Sequence, residues 1–146
     1  MKIRQLSLFL ENRPGQLRAP CKILGEAGID VLTMSLADTQ QFGILRLVVK
    51  DPERARQVLE AAGVVVNVTE MLAVDVPDHP GGLAEVLEGF EKAGLGIEYM
   101  YPFAVARGQY ATLLFRVEDP DRAERILAEH GVRLVPSAEL YSRAAR

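Results

Sequence analysis

Leu6, Leu8 and Leu10 fall on one face of IRQLSLFL, and this period of two predicts a half-buried strand over residues 3–10. Asn12-Arg13-Pro14-Gly15 breaks it. Leu17, Cys21 and Leu24 then recur at helical spacing as far as Ala27, and Gly28 follows as a C-terminal stop. Pro14 suits a first helical turn. Pro20 would lie beyond that turn and remove a backbone bond, which a later helix start would resolve. DVLTMSLA (30–37) and FGILRLVVK (42–50) read as strands joined by the polar turn Asp38–Gln41. Asp51-Pro52 is an N-cap followed by proline at the first helical position. Ala55, Val58, Leu59 and Ala62 continue that helix to Gly63, and residues 64–71 give a fourth strand. The order is β-α-β-β-α-β.

The pattern then repeats. Pro14-Gly15 recurs 66 residues later as Pro80-Gly81, together with Leu17/Leu83, Ala27-Gly28/Ala93-Gly94 and Met34/Met100. Asp51-Pro52 recurs 68 residues later as Asp119-Pro120, with Leu45/Leu113, Val49/Val117 and Leu59/Leu127. The second copy predicts a strand at 71–77, a helix at 81–93, a strand at 96–106 and a turn at Arg107-Gly108. A strand at 109–118, a helix at 120–130 and a strand at 133–141 complete it. The fold class expected is α+β: two ferredoxin-like βαββαβ units, residues 1–70 and 71–146, with antiparallel sheets and helices on one face.

Units of about 70 residues are close to the size at which one core supplies only ~3–5 kcal/mol. Edge-to-edge pairing of the two sheets would remove exposed edges and add burial. No Gly or Pro separates Val64 from Val76, so no linker is expected. In the third strand Phe42, Ile44 and Val48 lie on one face and Leu45, Leu47 and Val49 on the other. Both faces are apolar, and a second copy of the chain is the expected cover, making a homodimer.

The chain has 17 Lys+Arg against 20 Asp+Glu, a net charge of −3, which opposes a phosphate-backbone binder. RNA-recognition domains share this topology, with Phe9 and Phe42 as stacking candidates, but the acidic balance and the lack of an RNP-like segment speak against nucleic acid. A single cysteine points to a reducing cytoplasm. No segment approaches the ~20 apolar residues of a membrane span, and MKIRQLSLFLENRPG alternates as a strand does, unlike a signal peptide. His79 and His130 occupy non-equivalent places in the two copies, so neither a metal site nor a nucleophilic triad is expected. Cys21 falls on an apolar helix face and reads as core, and His130 reads as a helix C-terminal cap. There is no Walker A sequence and no G-x-G-x-x-G, and no cofactor is expected. The chain is read as a non-enzyme.

The turns Asn12-Arg13-Pro14-Gly15 and Asp78-His79-Pro80-Gly81 each join a first strand to a first helix. Amides at such a helix start can hold an anion, and capping with a tight turn is the alternative. Tyr99 and Tyr101 share a face of their strand, for cross-strand stacking or for lining a small pocket.

LFLENRPGQLRAPCKILGEAGIDV and VDVPDHPGGLAEVLEGFEKAGLGI, together with the doubled βαββαβ order, resemble the ACT domain, a small regulatory module that binds amino acids. FGILRLVVKDPERA and IEYMYPF look like segments of stand-alone proteins made of two such units. The resemblance covers about residues 1–142, so an attached catalytic domain is not expected. It implies a non-catalytic sensor or regulatory protein for a free L-amino acid, or else the regulatory subunit of a separate amino-acid biosynthetic enzyme. It also implies a pocket between paired units, formed by a strand-to-helix turn and a neighbouring second strand. Carried onto this sequence, the turns are Asn12, Arg13, Pro14, Gly15, Gln16 and Leu17, and Asp78, His79, Pro80, Gly81 and Leu83; the strands supply Thr33, Met34, Tyr99 and Tyr101. Gly82 and Asp78 stand where the first turn has Gln16 and Asn12, so the two turns need not bind equally well.

Overall fold

The computed structural model describes residues 2–38, 41–103 and 108–144. These cluster into two compact units, Arg4–Thr69 (the first unit) and Met1–Ile3 with Glu70–Arg146 (the second). Both are α+β with antiparallel strands.

The first unit runs β1 (Ile3–Glu11), α1 (Arg18–Glu26), β2 (Val31–Asp38), β3 (Phe42–Val49), α2 (Pro52–Ala61) and the start of β4 (Val66–Pro77). β3 pairs with β1 and β2, matching Leu8 to Leu45 and Leu36 to Leu45. Leu6, Leu8 and Leu10 of β1 and Leu45, Leu47 and Val49 of β3 meet Leu24 of α1 and Ala55 and Leu59 of α2 in one core. Period-two and helical patterns thus bury the same face from both sides. Asp51 caps α2 by accepting from the Arg54 amide at 3.2 Å, with Pro52 at the first helical position.

α1 begins at Arg18, later than Pro14, and the cause is Pro20. The Ala19 amide donates to the Gly15 carbonyl at 3.1 Å. The next bond of that ladder would come from residue 20, and proline has no N–H. With the helix starting at Arg18, Pro20 lies in the first turn, where amides have no helical partner in any case. Pro20 and Leu24 are the buried residues of α1, and Cys21 is half-buried rather than core.

The second unit continues through α3 (Gly82–Lys92), β5 (Tyr99–Pro102), β6 (Tyr110–Arg116), α4 (Pro120–Glu129), β7 (Leu134–Val135) and α5 (Ser137–Arg143). Its strand order is β7-β4-β6-β5. Leu72, Val74 and Val76 meet Phe115, Val117, Val86, Phe90, Ala123 and Leu127 in a second core, with the Phe90 and Phe115 rings 4.9 Å apart. Asp119 caps α4 as Asp51 caps α2. His130 closes α4, its Nδ1 donating to the Ile126 carbonyl at 2.8 Å.

Four expectations change. The strands 64–71 and 71–77 are the single strand β4, which starts only at Val66 because the Val64 amide is still bonded to Leu59 of α2. The strand 96–106 begins only at Tyr99, since Leu95 and Ile97 pack against the core in a loop. The strand 133–141 ends at Val135: Pro136 interrupts it with no N–H to give, and SAELYSR forms α5. Finally, α5 adds a helix that the βαββαβ order did not include. Arg143 of α5 bonds Asp75 and Thr112, residues that alternate with the core positions of β4 and β6 and so lie on the opposite face. Residues 104–107 of the expected strand and turn, and residues 39–40 of the earlier turn, lie outside the described residues.

Candidate functional site

The two strand-to-helix turns are built by the same four backbone hydrogen bonds. In the first, Asn12 donates to Gln41, Arg13 to Glu11, Gln16 to Arg13 and Ala19 to Gly15. In the second, Asp78 donates to Gln109, His79 to Pro77, Gly82 to His79 and Glu85 to Gly81. Gly15 and Gly81 both have φ of 86°, a left-handed conformation that side chains disfavour, which explains glycine after each proline. The amides of Gly15, Leu17 and Gly81 donate to no acceptor among the described residues. They are donors left over for a ligand or for water.

In the first unit this turn opens onto a cavity of about 260 Å³ lined by Leu10, Glu11, Asn12, Arg13, Leu17, Leu36 and Gly43. Register explains the set. Leu10 lies opposite Gly43, and Leu36 lies on the neighbouring strand facing the same way as Leu45. Gly43 brings no side chain to the floor, and the end of Leu36 lies close over it: a Cβ built there would lie 3.3 Å from Leu36 Cδ1. Arg13 and Glu11 form an ion pair at the rim. Its lining is part polar, with Asn12 and the Arg13–Glu11 ion pair, and part apolar, with Leu10, Leu17 and Leu36.

Of the residues singled out from sequence, Asn12, Arg13 and Leu17 line this cavity. Pro14, Gly15 and Gln16 shape its turn without lining it. Met34 is exposed on the same face as Leu36, one strand repeat away, while Thr33 pairs with Val48 on the opposite face and is buried. Leu10, Glu11, Leu36 and Gly43 were not singled out. A glycine inside FGILRLVV was a usable signal, because such a glycine often marks a close approach.

The second unit differs at the matching places. Ala111 pairs with Val76 as Gly43 pairs with Leu10, and Pro102 pairs with Leu113 as Leu36 pairs with Leu45. Asp78, His79, Pro80 and Gly81 are exposed, His79 donating from Nδ1 to the Pro80 carbonyl at 2.9 Å, and Leu83 packs against the core. Tyr99 and Tyr101 pair with Arg116 and Leu114, which places them on the face carrying Thr112 and Asp75. Core Leu72, Val74 and Val76 are on the other.

A different cavity, about 330 Å³, lies between Asp75, Pro77, Glu85, Val86, Tyr110 and residues His130 to Arg133. Asp75 is only 2% exposed. Arg143 grips it with Nη1 at 2.8 Å and Nη2 at 3.0 Å, Thr112 donates at 2.8 Å, and Arg133 approaches to 3.3 Å while covering the Tyr110 ring. Burial pushes the Asp75 carboxyl up, but the bonds from Arg143 and Thr112 and the two guanidinium charges outweigh it and hold it below the usual value. This carboxylate is held as a structural anion.

Among the described residues no three His, Cys, Asp or Glu side chains converge as a metal site, and no helix is long and apolar enough to cross a membrane.

Comparison with known proteins adds to this geometry. The family model for the ACT domain pair matches residues 1–143. The crystal structure of protein BT0572 from Bacteroides thetaiotaomicron is similar at TM-score 0.88 and 35% identity, over 97% of this chain and 96% of that one. The regulatory subunit of aspartate kinase from Thermus flavus matches at TM-score 0.61 and 18% identity, over 88% of this chain and 92% of its own. That from Thermus thermophilus, in its ligand-free form, matches at TM-score 0.60 and 18% identity, over 88% and 93%. These two likenesses are of fold. No curated protein sequence gives a significant match.

Proposed function

The chain belongs to the ACT domain pair family, and from that premise we propose that it is a non-catalytic regulatory protein that binds a free L-amino acid at the turn between β1 and α1. The supporting observation is one cavity beside the turn, lined by Asn12, by Leu17, whose amide has no acceptor among the described residues, and by Leu10 and Leu36. An α-carboxylate suits amides at a helix start, where the partial charge is positive. The Asn12 side-chain carbonyl suits the ammonium. An amino acid of about ten heavy atoms needs about 0.8 kcal/mol per atom for micromolar affinity, inside the range of ~0.3–1.5 that ligands reach.

A thermal-shift screen of the twenty amino acids tests this. At a hundred times Kd one site adds ~2.7 kcal/mol, which raises the Tm by several degrees in a chain of this length. Gly15→Val, strained at φ 86°, should abolish the shift while circular dichroism shows a folded chain. If no amino acid shifts the midpoint or gives heat in calorimetry at millimolar concentration, the reading is wrong.

The Thermus subunits, matched over nearly their whole length, favour a second reading in which this chain regulates a separate biosynthetic enzyme. Co-purification of the tagged chain with such an enzyme from its source cells would distinguish the two. We place the protein in the cytoplasm, where Cys21 stays reduced.

A further inference from the structure

Resting on the amino-acid-binding reading, we infer that the ligand carries an aliphatic side chain, that Gly43 admits it, and that each chain holds one such ligand, in the first unit. Gly43 and Leu36 both line the cavity and lie close together, so that a single Cβ added at Gly43 would already be in tight contact with Leu36 Cδ1. The walls there are Leu10, Leu17 and Leu36. Leu17 and Leu36 are 39% and 52% exposed, so they offer apolar surface that an apolar group would cover. Among the described residues, Leu10, Leu17, Leu36 and Gly43 supply the apolar part of the lining. Among the described residues the charges lining the cavity are Glu11 and Arg13, which pair with each other.

The second unit supplies an internal comparison. Its turn has the same hydrogen bonds and the same left-handed glycine, so turn geometry does not separate the two units. The floor does. Ala111 carries the methyl that Gly43 lacks, and Pro102 replaces the long flexible Leu36. At the floor of the second turn, then, a methyl and a proline ring stand where the first unit has Gly43 and Leu36. Gly43 itself has no positive φ, so alanine is compatible with its backbone, and the only side chain that a methyl would crowd is the end of Leu36.

Titration calorimetry on the full chain tests the inference, using Val, Ile, Leu and Met against Ser, Asp, Lys and Phe. At least one aliphatic amino acid should bind with a stoichiometry of one per chain, and at least tenfold more tightly than each of the other four. Gly43→Ala should weaken it at least tenfold with an unchanged circular dichroism spectrum. Leu36→Ala, on a half-exposed side chain, should weaken it too and serves as the second probe if Gly43→Ala misfolds. A stoichiometry of two, or undiminished affinity in the folded Gly43→Ala chain, overturns the inference. If Asp, Lys or Phe binds best and Gly15→Val abolishes that binding, amino-acid recognition stands and the aliphatic assignment falls. If none of the twenty binds the wild-type chain, the parent reading has failed first.

Discussion

Asp75 is buried on β4 with two oxygens and three side chains bonding or pairing with them, and its behaviour with pH follows from that. Its folded pKa lies below the ordinary value near 3.8. The folded state therefore binds that proton less readily than the unfolded chain. The resulting stability is fully present above the unfolded pKa and is lost as pH falls through the lower folded one. Urea denaturation of the wild type should show the loss below about pH 4, and Asp75→Asn should flatten that acid limb. Arg143→Ala should cost about 3 kcal/mol at pH 7, because one partner of a buried pair is removed while Arg133 remains. None of this was readable in VDVPDHP, since Arg143 lies 68 residues away on a helix that Pro136 creates. The candidate site divides in the same way. Asn12, Arg13 and Leu17 sit on one local turn whose repetition drew the eye, whereas Leu36 and Gly43 join them only through the β2-β3-β1 register. Tyr99 and Tyr101 were legible as sharing a face, but which face depends on alternation counted from a β5 that starts three residues later than expected.

The helices show how far local chemistry reaches. Asp-Pro starts α2 and α4 in identical fashion, and that signal was complete in the sequence because the capping carboxylate and the amide that donates to it lie three residues apart. Pro20 was readable as a conflict, and the resolution, a start at Arg18, follows from the missing N–H alone. The matching helix α3 begins directly after Gly81, since Val86 stands in place of Pro20 and can donate. This difference separates Gln16 from Gly82. A Cβ at Gly82 would lie 1.9 Å from the Pro77 carbonyl oxygen, a contact with backbone that no rotamer relieves. Gly82→Ala should therefore destabilise the second unit by about 3 kcal/mol, at the upper end of ordinary overpacking. Gln16→Ala, on a half-exposed residue that carries a Cβ already, should change stability by less than about 0.5 kcal/mol. Chemical denaturation of both variants checks the pair. Equal effects would mean that the turns are interchangeable despite their different helix starts.

At the scale of the molecule, duplication gives two cores from one pattern, and the surface shows where the copies have parted. On β1 and β3 of the first unit, Phe9 is 59% and Phe42 49% exposed, and register sets Phe9 against Ile44 on the face away from α1 and α2. Val48, expected from sequence to belong to this outer patch, is fully buried within the chain, so Phe9, Phe42 and Ile44 are what remains for a partner. Aromatic side chains of this kind are the usual anchors of an interface, because they desolvate a large area at little cost in rotamer freedom. We expect a homodimer that uses this patch. Light scattering should give twice 16.1 kDa at micromolar concentration, with dissociation on dilution, as mass action requires. Ile44→Arg would place a charge at the centre of the patch, where no acidic partner is guaranteed, and should shift the mass to that of a monomer while leaving circular dichroism unchanged. Leu10, opposite Gly43 on the other face, is not part of the patch. Leu-to-Ala substitution there should lower stability and leave any assembly proportional to the folded fraction. A wild-type chain that scatters as a monomer at micromolar concentration would contradict the dimer, and a dimer indifferent to Ile44→Arg would move its interface elsewhere.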